Sequence, residues 1–425
     1  MQVAAWSLII IFISGYVAIA FEHPLKINKA ASALITGVLC WICFVFSSGD
    51  KQAVNEELVG HLGEISSILF FLLGAMTIVE LVDSHDGFTI ITQRIKTNSM
   101  SRLLWIVTVI TFFLSSILDN LTTTIIMLSL TGKLLSEKED RWFFAGMIII
   151  AANAGGAWSP LGDVTTTMLW IGGQITAINI VLKLFIPAMI CTFVPMMILR
   201  YRFRERKFIN SIAGYESPYP LRHRKILLYT GGLSLVLVPV FKSLTHLPPF
   251  MGMLLALGVI WTVVSMLKIK KEGETGKMYS VSEALRRIDT PSILFFLGIL
   301  LAVAALHSGG LLNELSGWLG NQLKNDAVIG IVLGLVSAIV DNVPLVAAVQ
   351  GMYSLTHYPT DHFFWELITF ATGTGGSAIV IGSAAGVAAM GMMKIDFTWY
   401  LKKISWLALS GFAAGIGTYL LVEFV

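Results

Sequence analysis

Long apolar runs alternate with short charged connectors along the whole of this chain. The runs near 3–21, 30–47, 65–82, 142–172, 176–199, 226–243, 249–267, 291–306, 363–393 and 399–424 are each long enough to cross a bilayer as a helix. Two further apolar stretches, 103–132 (to 135 with its polar exit) and 327–353, are interrupted at the centre by Asp119-Asn120 and Asp341-Asn342. Each is too short for two full spans, so the pattern predicts re-entrant helical hairpins with Asp-Asn at the tip. The plainer alternative is a single span carrying a buried polar residue. An Asp at the centre of a membrane helix costs about 2.5–3.5 kcal/mol on insertion scales. A cost borne twice in matched surroundings, Ser115-Ser116-Ile117-Leu118-Asp119-Asn120 and Ser337-Ala338-Ile339-Val340-Asp341-Asn342, points to function.

Composition agrees with a polytopic helical membrane protein. Hydrophobic residues make up 56% of 425 positions, charged residues 13%, and the mean hydropathy is +0.78; a soluble domain carries roughly 25% charged residues. The net charge of +3 gives no reason to expect nucleic acid. Cys40 and Cys43 have C-x-x-C spacing, but no second Cys pair or neighbouring His supports redox or metal chemistry. The first apolar run lacks a basic leader and a small-residue cleavage site, so it reads as a retained span.

Charge placement tests the hairpins. If each hairpin enters and leaves on one side, every Lys and Arg except Lys51, Lys183, Lys242 and Lys324 falls in a loop on one face or its helix ends. Basic residues favour the cytoplasmic side, so both termini are expected outside. Reading either hairpin as a single span would invert every later loop and destroy the asymmetry.

The halves also repeat. Ser67-Ile68-Leu69-Phe70-Phe71-Leu72 recurs as Ser292-Ile293-Leu294-Phe295-Phe296-Leu297, and the spacing of Gly155, Gly156 and Gly162 recurs as Gly375, Gly376 and Gly382. Each half then holds five spans and one hairpin. An odd number of spans places the second half upside down: a first repeat at 1–200 (hairpin 103–135, broken helix 142–172), a cytoplasmic basic linker at 201–225, and a second repeat at 226–425 (hairpin 327–353, broken helix 363–393). Segments 86–98 and 310–322 read as amphipathic connectors. Inverted repeats with Gly/Pro-interrupted spans at matching places point to a secondary transporter with its site near the midplane.

The chemistry follows from Asp119, Asp163 and Asp341. Their own stretches carry no Lys, Arg or His, and Lys183, inside a span, is expected to snorkel to the surface. Burial disfavours the charged form of a carboxylate and a bound cation restores it, so a buried Asp without a basic partner is expected to trade a proton for a metal cation. Oxygen ligands suit a hard cation: Thr123 and Thr166 follow their Asp at helical spacing, and Asn120, Asn153, Ser159, Asn342, Thr374, Ser377 and Ser383 lie in the same breaks. Back-bonding to the preceding helical turn is the competing role for the threonines. Asp119, Asp163 and Asp341 are therefore expected to bind a hard monovalent cation or H⁺ in competition. Glu80 is a candidate for the proton path. No cofactor is expected.

Leu118-Asp119-Asn120-Leu121-Thr122-Thr123-Thr124, Ser159-Pro160-Leu161-Gly162-Asp163, Val340-Asp341-Asn342-Val343-Pro344 and the opening Phe21-Glu22-His23-Pro24 together resemble the NhaD-type sodium/proton antiporters of the ion transporter superfamily. The resemblance runs over nearly the whole chain. It implies a homodimer in a bacterial cytoplasmic (inner) membrane, small cations as cargo, and transport domains that move against a scaffold. Dicarboxylate carriers of this fold place Ser-Asn-Thr at both tips, whereas this chain places a carboxylate there, which favours a cation. The alternative is a dicarboxylate, metal–citrate or arsenite carrier on the same fold. A cation channel is a further reading. An intramembrane aspartyl protease would need Gly-x-Gly-Asp, and Pro160-Leu161-Gly162-Asp163 lacks the first Gly.

Overall fold

A computed structural model describes residues 2–20, 22–48, 50–92, 97–204, 206–207, 217–267 and 281–424. These form helices in the order α1 (Gln2–Ala20), α2 (Glu22–Leu25), α3 (Lys29–Ser47), α4 (Lys51–Ser84), α5 (Thr89–Thr92), α6 (Met100–Ser115) and α7 (Asn120–Leu134). Next come α8 (Lys138–Ala157), α9 (Val164–Ile171), α10 (Ala177–Arg202), α11 (Leu221–Thr245), α12 (Pro249–Leu267), α13 (Val281–Arg287) and α14 (Thr290–Ser308). The chain ends with α15 (Leu311–Leu323), α16 (Asp326–Val336), α17 (Asn342–Met352), α18 (Phe363–Gly375), α19 (Ala384–Met393), α20 (Phe397–Lys403) and α21 (Ser405–Phe424).

Among the described residues, seven helices are long and apolar enough to cross a membrane: α3, α4, α10, α11, α12, α14 and α21. Their outward faces keep large apolar side chains exposed, such as Ile35, Leu182, Leu233, Leu255 and Leu421. A soluble protein rarely shows so many contiguous apolar surfaces, and hydrocarbon is the solvent that such faces suit.

Two expected spans and one expected connector differ in extent. The run at 65–82 belongs to α4, which begins at Lys51 and has 34 residues, roughly 50 Å at 1.5 Å per residue. Asp50 starts it early by accepting from the backbone N–H of Gln52 and Ala53. The polar turns that follow, with Glu56, Glu57 and Glu64 exposed, carry the helix beyond its apolar part. The last run is divided at Ile404 into α20 and α21. The stretch 86–98 contains only the short α5, with 93–96 outside the described residues; 310–322 matches α15, which leaves Leu315 and Trp318 exposed.

The helices pack in two sets. In the first, α3 lies against α1 and α14, α4 against α12 and α14, and α11 against α12. In the second, α6 and α7 lie on α8, α16 on α18, α19 on α7 and α8, and α10 on α21. The sets meet where α14 touches α17 and α4 touches α9.

Within the second set the same contacts occur twice. The Ser115 hydroxyl donates to the Ala152 carbonyl at 2.7 Å, and the Ser337 hydroxyl donates to the Thr372 carbonyl at 2.8 Å. A Cβ on Gly155 would lie 2.2 Å from the Phe112 carbonyl oxygen, and one on Gly375 would lie 2.0 Å from that of Gly334. Only glycine permits such backbone contact. It holds α6 against α8, and α16 against α18, at the level where the chain breaks.

Candidate functional site

Four helices begin at the breaks, and their first residues line one cavity. Asn120 of α7, Val164 of α9, Asn342 of α17 and Ala384 of α19 all face it, together with Asp119, Asp163 and Asp341. The cavity measures about 50 Å³, room for a few water molecules. Each helix N-terminus brings unpaired N–H groups and a partial positive charge. At three of the four, the chain supplies its own anion. Asp119 accepts from the Thr122 N–H at 2.8 Å, Asp163 from the Thr165 N–H at 3.1 Å and Asp341 from the Val343 N–H at 3.3 Å. Ser383 caps the fourth, accepting from the Gly386 N–H at 3.2 Å. The Asp-Asn pairs thus sit at the start of the second helix of each interrupted stretch, because Asp is a strong N-cap.

Asp163 is the centre of the arrangement. It is 1% exposed, and its Oδ2 accepts from Asn120 Nδ2 at 3.3 Å and from Asn342 Nδ2 at 3.5 Å. The asparagines of both interrupted stretches therefore converge on one carboxylate oxygen. Asn120 also donates to Asn153 Oδ1 at 3.1 Å, and Asn153 Nδ2 donates to Ser377 Oγ at 2.9 Å and Ser383 Oγ at 3.0 Å. Asp119 and Asp341 are half-buried and face the cavity. Among the described residues, no cluster of three or more His, Cys, Asp or Glu is drawn together as metal ligands. The three carboxylates share a cavity wall rather than a single coordination shell.

The remaining expected residues divide by their bonds. Ser159 Oγ donates to the Ser116 carbonyl at 2.5 Å, tying the first break to the α6–α7 turn. Thr374 back-bonds to the Phe370 carbonyl at 2.6 Å, the structural alternative. The hydroxyls of Thr123 and Thr166 are fully buried without a hydrogen-bond partner. The hydroxyls of Thr108 and Thr124 are unpartnered in the same way, and neither Thr123 nor Thr166 lines the cavity. Glu80 stands outside the cavity. It lines an adjoining vestibule of about 560 Å³ with Glu22, Asp83, Arg287 and Asp289.

One charge expectation fails. The carboxylates do have a basic neighbour: Lys29, the first residue of α3, lines both the cavity and the vestibule. It reads in sequence as the end of a basic loop, and only packing brings it to residues from the other half. Lys183 is partly exposed and pairs with Glu423 at 2.6 Å, since α10 lies on α21. Two polar contacts were also not foreseen. The Thr122 hydroxyl donates to Asp119 Oδ2 at 2.6 Å; its place inside the Thr122-Thr123-Thr124 run was the available signal. Tyr16 of α1 accepts from the Asp341 N–H at 2.8 Å, and no local signal marked it. Asp361, in the turn before α18, accepts from the Thr176 N–H and hydroxyl at 2.6 and 2.8 Å.

Interrupted helices around a cavity where three carboxylates stand among apolar side chains, inside a shell of apolar helices, define a membrane transporter. Residues 16–375 match the family described as citrate transporter. The chain is 48% identical over 415 residues to sodium/proton antiporter 1 of Arabidopsis thaliana, covering 97% of this chain and 72% of that one. It is 43% identical to sodium/proton antiporter 2 of the same plant, with 97% and 99% covered, and 32% identical to the Na⁺/H⁺ antiporter NhaD of Alkalimonas amylolytica, with 97% and 89% covered. The chain belongs to the citrate transporter family and, within it, to the NhaD-type sodium/proton antiporters.

Proposed function

We propose that this protein is a secondary active carrier that expels Na⁺ in exchange for H⁺, with Li⁺ as a second cargo. One observation carries the reading: three of the four helix N-termini at the cavity are already capped by carboxylates of the chain itself. An anionic cargo would have to displace them, whereas a small cation completes them. Asp119, Asp163 and Asp341 hold Na⁺ or protons in turn. Asn120, Thr123, Asn153, Ser159, Thr166, Asn342, Thr374, Ser377 and Ser383 supply neutral oxygens. Desolvation penalises three bare carboxylates in one small space, so the cavity favours either cation over none. Competition for the same oxygens couples the two flows. Glu80, at the wall of the vestibule, passes protons between water and the cavity.

The architecture that serves this exchange is two inverted repeats, 1–200 and 226–425, joined by the basic linker 201–225, of which 205 and 208–216 lie outside the described residues. Each contains a re-entrant hairpin (103–135, 327–353) and a discontinuous helix (142–172, 363–393). The recurring serine and glycine contacts support this reading. The protein works as a homodimer in a cytoplasmic (inner) membrane with both termini outside, so the vestibule beside Lys29 and Arg287 opens to the cytoplasm. A dicarboxylate, metal–citrate or arsenite carrier is the second reading, favoured by Lys29 and by the match to the family described as citrate transporter.

The test is acridine-dye dequenching in everted membrane vesicles. Na⁺ should restore fluorescence for the unmodified protein and fail to do so for Asp119→Asn or Asp341→Asn. Wild-type exchange in both variants would remove these carboxylates from the site, and a citrate response without a Na⁺ response would move the protein to the second reading.

A further inference from the structure

Lys29 occupies an unfavourable place for a helix and an informative one for a carrier. A cation in the first turn opposes the helix dipole, and Asn28 and Glu22 already serve the start of α3: Asn28 Oδ1 accepts from the Ala30 N–H at 2.8 Å and Glu22 from the Lys29 N–H at 3.2 Å. The helix therefore gains nothing from the ammonium. Instead the side chain lies over the buried ring of Phe295, Nζ 4.7 Å from its centroid, a contact that orients a Lys without neutralising it. Among the described residues no carboxylate lies within ion-pair distance of Nζ. Lys29 and Ser292 line both vestibule and cavity, so Lys29 stands where the two adjoin. It faces Asp119, Asp163 and Asp341 on the cavity side, and Glu22 of α2, Glu80 and Asp83 of α4, Arg287 of α13 and Asp289 before α14 on the vestibule side. Asp341 is near enough for the Lys29 charge to act on it.

We infer that Lys29 is a tethered cation that competes with the transported ion: it partly neutralises the carboxylates when the cavity holds neither Na⁺ nor H⁺, and its field must be overcome by an entering cation. The inference rests on the exchange reading above. It makes Lys29 a positioning and specificity residue that lowers affinity so that cargo is released. Removing the charge should then do two things. Na⁺ should bind more tightly at alkaline pH, and protons should also be held more tightly, so that activity begins at higher pH.

The experiment uses the full chain in proteoliposomes and in detergent, comparing the unmodified protein with Lys29→Gln, Lys29→Ala and Lys29→Arg. Calorimetric titration with NaCl at pH 9 should show roughly ten-fold tighter binding for the Gln and Ala variants, as for a unit charge removed at a distance across a partly polar site. Their pH profile of exchange should shift to the alkaline side, and Lys29→Arg should resemble the unmodified protein in both respects. Unchanged or weaker Na⁺ binding in whichever neutral variant folds overturns the inference, as does inhibition by citrate or sulfate that disappears with the charge, which would make Lys29 an anion seat. Absence of Na⁺ binding and exchange in the unmodified protein would instead overturn the exchange reading itself.

Discussion

The two interrupted helices of this protein are built alike and loaded differently. In both, one glycine presses the backbone against a neighbouring helix, the next meets the returning chain at Gly162 or Gly382, and a serine from that neighbour bonds a carbonyl just before the break. Yet α9 begins at Asp163, which receives both tip asparagines, while α19 begins at Ser383, which receives Asn153. The tips differ in the same way. Both oxygens of Asp119 are bonded by Thr122, whereas Asp341 accepts from Val343 and leans on Tyr16 through its backbone. Shared contacts set the frame, and the unshared ones place the charge. Matched backbone contacts therefore need not give matched caps: an Asp starts α9 and a Ser starts α19.

The sharpest way to break this comparison is to exchange the roles of the two caps. Asp163→Asn is expected to reduce Na⁺-driven exchange to background in vesicles, because the group that joins both tips loses its charge. Ser383→Ala removes one neutral hydrogen-bond acceptor, about 1 kcal/mol, and should lower the rate by no more than roughly ten-fold. Equal losses in the two would show that the halves share the load. The tips come next. Thr122→Val deprives only Asp119 of its hydroxyl partner and is expected to cut exchange several-fold, which Na⁺-induced dequenching measures. The frame itself gives a smaller effect on transport and a measurable one on stability. Gly155→Ala and Gly375→Ala each force a methyl group into a carbonyl and should cost about 1–3 kcal/mol, read as lower melting temperatures in detergent. Ser115→Ala and Ser337→Ala should each cost about 1 kcal/mol. Unequal costs within either pair would mean that the two frames are not equivalent.

Much of this was legible in the chain. The Asp-Asn pairs and the Gly155/Gly156/Gly162 spacing are local signals, and they mark where the helices stop. Asn153, Ser377 and Ser383 were singled out because they lie beside those glycines, and packing joins them. What could not be read was everything that depends on which face of one helix meets another. Lys29 and Asp341 lie in opposite halves, and no periodicity links them. Tyr16 is one aromatic among several in an apolar run, indistinguishable from a lipid-facing ring until α1 is placed. Glu366, buried between Asn179 and Tyr419 at 2.5 and 2.7 Å, was missed because a carboxylate in the first turn of α18 looks like an ordinary helix start. The length of α4 escaped because hydropathy finds only the apolar part of a helix that continues into water.

Aspartate and asparagine codons differ at a single base. Each of the three acidic caps at the cavity thus lies one point mutation from neutrality, while the turns, glycines and serines around it need not change. Under the exchange proposed above, the sign of the cargo rests on three caps, and Asn starts a helix about as well as Asp does, so the charge can be lost while the helix starts are kept.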